Sequence, residues 1–401
     1  MEPKDAKDFR RTLLVPILLL CTFLATSIPF FIGTLLVDVA TTFKVSIGTA
    51  SQLSVITNLM GIITGLAVSS ISIKIKHKSL LLMGNAFFAA GTLIYFFAQN
   101  FVTVMMVSFL LGAGGSVMVI MVYTLIGDQL PLERRGWALG LTVSSIMAAG
   151  LVVSFLSGLI ADVAGWRMVL LWFLFPLSVV CLGLSFLVIP SKQPQLQSAD
   201  KPSYRKVLRR IFLCKSPIAC VISTALVAFL GIVPLYMVSF FRLTFNVSPA
   251  IGGAILSICT TGGILGGIIG GRLINKYGRK PLTIAAILLS GISTILFTFM
   301  PLIELSVVLG LIGGIAMAVI IAGLQSLALE QVPEFRGSMM SIGNSFENIG
   351  GILAIIIGGL VLNLYNNNFH LLMTVLGVVG IVAAPVLLLF TKDPTKPSAT
   401  Q

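Results

Sequence analysis

The sequence predicts an all-α membrane protein with twelve transmembrane helices in two sets of six, both termini cytoplasmic. Three observations carry this. Of 401 residues, 57% are hydrophobic and 10% charged, with a mean hydropathy of +1.07, whereas soluble domains carry about a quarter charged residues. Packing that much apolar surface in water would need a larger core than single domains build, which excludes a soluble enzyme. Twelve apolar segments are each long enough for a hydrocarbon core of about 30 Å, which takes about 20 helical residues. The 26 Lys and Arg gather in alternate loops, the signature of loops retained on the inner side.

Taken in order, the segments lie near 12–36, 48–73, 80–98, 101–127, 137–161 and 167–189, then 217–241, 250–274, 282–301, 305–329, 338–363 and 369–391. The first is too long for a signal-peptide core and lacks a small-residue cleavage pattern, so it is expected to remain as a helix. The expected organisation is six helices over 1–189, a cytoplasmic linker over 190–216 and six more helices over 217–401. The linker holds Pro190, Pro194 and Pro202 with Lys201, Arg205, Lys206, Arg209 and Arg210. It reads either as a solvated connector or as a short basic helix against the inner leaflet. With the N-terminus inside, 23 of the 26 cations are cytoplasmic, and Lys44, Arg167 and Arg242 fall outside.

The formal net charge of +13 does not mark a nucleic-acid binder, because the cations are not clustered on one polar domain with interleaved aromatics. Cys21, Cys181, Cys214, Cys220 and Cys259 form no CxxC pair, so neither disulfides nor a metal or other cofactor is expected. Pro29, Pro176 and Pro234 sit inside segments and are expected to kink the first, sixth and seventh helices.

Six segments, a linker and six segments suggest a duplication, and the loops test it. Glu133-Arg134-Arg135-Gly136 recurs as Glu334-Phe335-Arg336-Gly337, 201 residues later, and the Lys74–Lys78 loop has its partner at Gly271–Lys280, 202 residues later. The stretch Gly271-Arg272-Leu273-Ile274-Asn275-Lys276-Tyr277-Gly278-Arg279-Lys280 resembles the loop signature of the major facilitator superfamily. Pro131-Leu132-Glu133-Arg134-Arg135-Gly136-Trp137-Ala138 resembles that family's loop between helices 4 and 5, and Gly165-Trp166-Arg167 the start of helix 6 in its drug-efflux and sugar-efflux branches. The resemblance spans all twelve helices and implies two bundles about a central cavity that opens alternately to either side.

Departures from the family pattern bear on gating and coupling. In the N-terminal copy of the loop signature, Ser69, Ile73, Lys74, Lys76, His77 and Lys78 stand where the family has its glycines, aspartate and basic residues. In the C-terminal copy Asn275 replaces the aspartate. Asp128 is expected either to pair with Lys74, Lys76 or Lys78 or to remain solvated, and Glu330 likewise with Arg279 or Lys280. The resemblance makes Lys74, Lys78, Asp128, Arg134, Arg135, Gly271, Arg272, Asn275, Gly278, Arg279, Lys280, Glu330 and Arg336 the candidate gating residues. The helix 4 arginine and helix 5 Gly-Pro bend of many family proton antiporters are replaced by Ser108 and Val153-Ser154.

An ionisable group inside a bilayer is a functional candidate by default, because burying its charge costs several kcal/mol. Of thirteen acids, Glu347 alone lies deep in a segment. Counted from Ser338 it is about 13 Å in, at 1.5 Å per residue. Asn344, Glu347, Asn348 and Gly351 repeat at i, i+3, i+4 and i+7, which places them on one helix face. Such a stripe could face the cavity, with Glu347 carrying the coupling proton and Asn344 and Asn348 binding substrate. Alternatively, both asparagines satisfy a structural, protonated Glu347 within helix packing. Asn58, Tyr123, Tyr236 and Gln325 are further candidates to hydrogen-bond a ligand, or equally a neighbouring helix. Met118 and Met121 form either an adaptable wall or ordinary packing. Glycines 262, 263, 266, 267, 270 and 271 give two small-xxx-small ridges for close helix approach.

The expected function is secondary transport rather than catalysis. His77 and His370 sit in polar loops, and neither a catalytic cluster nor a GxxxxGK[ST] phosphate loop is present. Taken with the resemblance, the expectation is a monomeric transporter in a prokaryotic plasma membrane, exporting a small neutral or cationic amphiphile in exchange for protons. Its rivals are nutrient import or uniport, a sensor with a transporter fold, and a membrane enzyme.

Overall fold

The computed structural model describes residues 4–71, 75–190, 213–332 and 336–393. Among them are twelve helices long and apolar enough to cross a membrane. They are α1 (Leu13–Thr42), α2 (Ile47–Val68), α3 (His77–Phe97), α4 (Phe101–Gln129), α5 (Trp137–Ala164), α6 (Trp166–Val188), α7 (Lys215–Thr244), α8 (Pro249–Ile274), α9 (Arg279–Phe299), α10 (Ile303–Gln331), α11 (Met339–Leu364) and α12 (Phe369–Phe390). Each matches an expected segment. The main difference is α1, which runs on past Asp38 to Thr42, with Thr41 Oγ1 donating to the Val37 carbonyl at 2.8 Å and Thr42 Oγ1 accepting from Trp166 Nε1 at 2.9 Å.

Proline explains four of the breaks in these helices; a further kink, at Leu35 (φ −111°, ψ 17°) in α1, has no proline after it. Proline lacks the N–H that would reach the carbonyl four residues back, and its ring crowds that carbonyl. The first span is interrupted at Thr26 (φ −94°, ψ 2°), three residues before Pro29, and the seventh at Ile232 (φ −88°, ψ −10°), two before Pro234. In α6 the adjustment is a π-helical turn, Leu170–Leu174, ahead of Pro176. A fourth break, at Val382 before Pro385, was not among the expected kinks. Serines and threonines inside the spans mostly bond a carbonyl one turn back in their own helix, as Thr22 does to Leu18 (3.0 Å) and Ser108 to Val104 (2.9 Å). Their hydroxyls are thereby satisfied without water.

The chain forms two compact units, Met1–Gln197 with Asn246–Ser257, and Ser198–Phe245 with Ile258–Gln401. In the first, α3 and α4 meet through glycine. A Cβ on Gly84 would lie 3.0 Å from the Gly114 carbonyl, and one on Gly114 would lie 2.8 Å from the Gly84 carbonyl. The start of α8 packs on α5 in the same unit, where a Cβ on Gly253 would come within 3.1 Å of Gly158 Cα, and Ser257 Oγ donates to the Leu151 carbonyl at 2.7 Å.

In the second unit one of the two glycine ridges is the packing one. Gly262 and Gly270 abut Leu311 and Val319, and Gly266 faces the Ile315 backbone, so successive turns of α8 seat on successive turns of α10. On the other ridge, nothing lies within 4 Å of a Cβ on Gly267. Van der Waals contact between backbones drives such approach, because lipid is as apolar as the side chains.

The duplication reaches backbone detail. Lys44 and Asn246 both adopt φ 53°, and Gly165 (φ 87°) matches Asn367 (φ 61°), each pair 202 residues apart. Gly278 turns with φ 90°, whereas Lys76, 202 residues earlier, enters its helix at φ −58°. The lost glycine of the N-terminal loop therefore corresponds to a lost left-handed turn.

Candidate functional site

The first half of α11 carries two unlike faces. Ile342 and Gly350 are buried against their own unit, whereas Ser341, Asn344, Ser345, Glu347 and Asn348 are uncovered by protein. Helical periodicity puts Asn344, Glu347 and Asn348 together, and Ser341 and Ser345 extend the face by another turn. These two serines were missed by the sequence reading, although their i, i+4 spacing was there to find. Ser345 Oγ donates to the Ser341 carbonyl at 3.0 Å, and Asn348 Nδ2 donates to the Asn344 carbonyl at 3.0 Å. The Asn348 amide N–H is thus directed to its own helix backbone rather than to Glu347. Eight residues separate Glu347 from Met339 and seventeen from Leu364, so the carboxyl sits about 12 Å into the span.

Glu347 stands apart from the other acids. Asp128, Asp162, Glu304 and Glu330 lie within two residues of a span end, and Asp38 within four. Tyr123 on α4 and Gln325 on α10 are also uncovered by protein. Asn58 on α2 is half-buried, with Nδ2 on the Ser54 carbonyl at 2.7 Å.

One expectation needs correcting. Tyr236 is 0% exposed and donates to the Ile355 carbonyl at 3.0 Å, tying α7 to α11. A Cβ on Gly358 would strike its ring at 2.9 Å, so glycine there makes room for the ring. Tyr236 is a packing residue, not one that faces a ligand. Met118 and Met121 are likewise buried, which settles them as core.

The loop residues form ties that repeat between the units. His77 Nδ1 lies 2.7 Å from Asp128 Oδ2, and Arg279 Nη1 lies 3.8 Å from Glu330 Oε1, each residue 202 positions from its counterpart. Lys78 Nζ donates to the Phe186 carbonyl at 2.7 Å, and Lys280 Nζ to the Leu388 carbonyl at 2.9 Å and the Thr391 carbonyl at 2.7 Å. These lysines close helix C-termini, whose last carbonyls lack partners within their own helix. His77, which the sequence reading left in a loop, is the first residue of its helix and the partner of Asp128.

Arg135 Nε donates to the Leu130 carbonyl at 3.0 Å, while Arg134 and Arg272 are exposed. Gly271 lies within the helix Pro249–Tyr277. Lys74, and the side chains of Asn275 and Arg336, lie outside the described residues.

The model of the Major Facilitator Superfamily matches residues 18–243 and 221–401. The chain belongs to the major facilitator superfamily. It is therefore a multi-pass membrane protein with the family and fold of transporters. It is 25% identical over 291 residues to the multidrug resistance protein MdtG of Salmonella choleraesuis, covering 71% of each chain. It is 22% identical over 388 residues to a benzoate transport protein of Acinetobacter baylyi, covering 86% of this chain and 83% of that one. Among solved structures, a D-xylose-proton symporter superposes with a TM-score of 0.79 at 17% identity, over 97% of this chain and 99% of that one. This last likeness concerns the major facilitator fold alone.

Proposed function

We propose that the protein exports a small neutral or cationic amphiphile across a prokaryotic plasma membrane in exchange for protons, by alternating access, as a monomer with both termini cytoplasmic. The observation that carries this reading is the uncovered Ser341, Asn344, Glu347 and Asn348 face. A carboxyl turned toward hydrocarbon costs several kcal/mol unless paired, hydrated or neutralised, so we assign that face to a hydrated translocation path. There Glu347 takes up a proton on one side and releases it on the other, or balances a cationic substrate while ionised. Asn344 and Asn348 offer amide groups to the ligand, joined by Tyr123, Gln325 and Asn58.

The preference for a neutral or cationic substrate rests on charge. Among the described residues, every Lys and Arg within a span lies near one of its ends, so no fixed cation stands beside Glu347 to attract an organic anion. The relation to MdtG supports export. The His77–Asp128, Arg279–Glu330, Lys78 and Lys280 ties are assigned to the inner gate, with Arg134, Arg135 and Arg272 beside them.

Everted vesicles carrying a pH-gradient dye test the reading against a panel of neutral and cationic amphiphiles. Compound-dependent collapse of the gradient in wild type, absent in Glu347→Gln at equal protein level, is the expected result. No response in correctly inserted wild type would overturn it in favour of uncoupled or nutrient transport. That second reading is favoured by Ser108, which is 1% exposed and bonded within its own helix where many antiporters of the family carry an arginine.

A further inference from the structure

A second polar cluster lies in the first unit, away from α11. Cys21 on α1, Asn85 on α3, and Cys181 and Ser185 on α6 are each 0% exposed. The two sulfurs are 3.2 Å apart, and Cys21 Sγ also lies 3.4 Å from Ser185 Oγ and 3.9 Å from Asn85 Nδ2. Asn85 Nδ2 lies 3.4 Å from Ser185 Oγ, while Asn85 Oδ1 is buried without a hydrogen-bond partner. Cys21 and Asn85 are eight residues from the ends Leu13 and His77, and Cys181 is seven from Val188. All three thus lie at a common depth of about 10 to 12 Å.

We propose that Cys21 and Cys181 are an oxidisable dithiol that closes to a reversible disulfide, fastening the inner half of α1 to α6. Cys21 and Cys181 are already in sulfur contact, so joining them needs no shift of one helix along the other, and only entry of the oxidant to the buried cluster needs a transient opening. Around Cys21 stand the Ser185 hydroxyl and the Asn85 amide, donors for the sulfur that attacks. Asn85 Oδ1 is an idle acceptor inside hydrocarbon, where an unsatisfied polar group is costly. On the same side chain as the Nδ2 that approaches Cys21, it is the acceptor we assign to the hydroxyl proton of a sulfenic acid there, the first product of thiol oxidation. Depth and burial select a neutral, lipid-soluble oxidant, and we assign an alkyl hydroperoxide.

The Cys21 sulfur attacks the terminal peroxide oxygen. An S–O bond forms, the O–O bond breaks, and the alcohol leaves with the Cys21 proton. Cys181 sulfur then displaces the sulfenic oxygen, which departs as water with the Cys181 proton, and the S–S bond forms. The dithiol loses two electrons and the hydroperoxide gains them.

The test uses full-length protein in lipid vesicles in a Cys214→Ser background, because Cys214 is the exposed thiol among the five cysteines. Vesicles are treated with cumene hydroperoxide, quenched in acid, alkylated in SDS and mapped by peptide mass spectrometry. Alkylatable thiols are expected to fall from four to two, with Cys21 and Cys181 peptides joined, Cys220 and Cys259 free, and all four thiols recovered after dithiothreitol. Four thiols remaining, or joined peptides involving Cys220 or Cys259 instead, would overturn the proposal. In Cys181→Ser the same treatment should leave Cys21 as a sulfenic acid that dimedone traps on denaturation. A Cys181→Ser protein that purifies like wild type but takes no label on Cys21 would also refute it.

Discussion

Replacing Gly350 by alanine tests whether the uncovered face of α11 is held in place by glycine on its opposite side. A Cβ at Gly350 would lie 2.8 Å from the carbonyl carbon and 2.9 Å from the Cα of Ala225 on α7, with the Ala225 oxygen nearer still. These are backbone atoms and cannot rotate aside. Ordinary carbon contact begins near 3.5 Å, so relieving the carbon contacts alone parts the two helices by about 0.7 Å, and the nearer oxygen asks for more. Overpacking of this kind costs about 1–3 kcal/mol.

Gly343 on the same helix is the control, since nothing lies within 4 Å of its Cβ position. Both substitutions gain the same helix propensity, about 1 kcal/mol, so it cancels between them. Gly350→Ala should therefore be less stable than Gly343→Ala by about 1–3 kcal/mol, roughly a 5- to 150-fold difference in the unfolding constant. Unfolding in dodecyl maltoside with increasing SDS, followed by far-UV circular dichroism, measures it. Equal stability, or a more stable Gly350→Ala, would refute the reasoning. If the face is the translocation path, Gly350→Ala should also lower transport more than Gly343→Ala.

Tyr236→Phe should cost about 0.5–1.5 kcal/mol, the net worth of its hydrogen bond, while leaving the apparent substrate KM unchanged. A raised KM with unaltered unfolding would return Tyr236 to the ligand face. Gly278→Ala, at φ 90°, should lose about 1–2 kcal/mol in the same titration, whereas Asn367→Gly, at φ 61°, should be neutral or stabilising. Asp128→Asn should cost under about 1 kcal/mol, because the Asp128 side chain is 45% exposed beside its His77 partner and solvent screens such pairs. A larger loss by thermal unfolding would show that this tie bears more than its pair energy.

The spans, their number and the repeat were legible because each rests on a signal that survives without tertiary contact. Apolar runs of membrane length had to become helices, since only helices and closed barrels satisfy their backbone within a bilayer. The loop motifs kept a register of 201 or 202 residues because they are polar and varied, and the 202-residue spacing then appeared in the matched turns at Lys44 and Asn246. Glu347 was legible for the opposite reason, as a rare charge in an apolar run.

Which face each helix buries was not legible. Lipid and protein core are both apolar, so a transmembrane helix need not announce its packed side by a change of composition. Tyr236 therefore read like Tyr123, although one is sealed against Ile355 and the other is uncovered. For the same reason the ridge of Gly262, Gly266 and Gly270 could not be told from its neighbour until α10 lay against it. The bond between His77 and Asp128, and the meeting of Cys21 with Cys181 across 160 residues, likewise depend on chain folding. The sequence by itself determined the class of protein, the twelve spans and the rare charge within a span, because the bilayer imposes them on each segment locally. Only the tertiary structure decided which polar groups remain uncovered and which are spent on helix packing, because that depends on which backbones approach closely enough to touch.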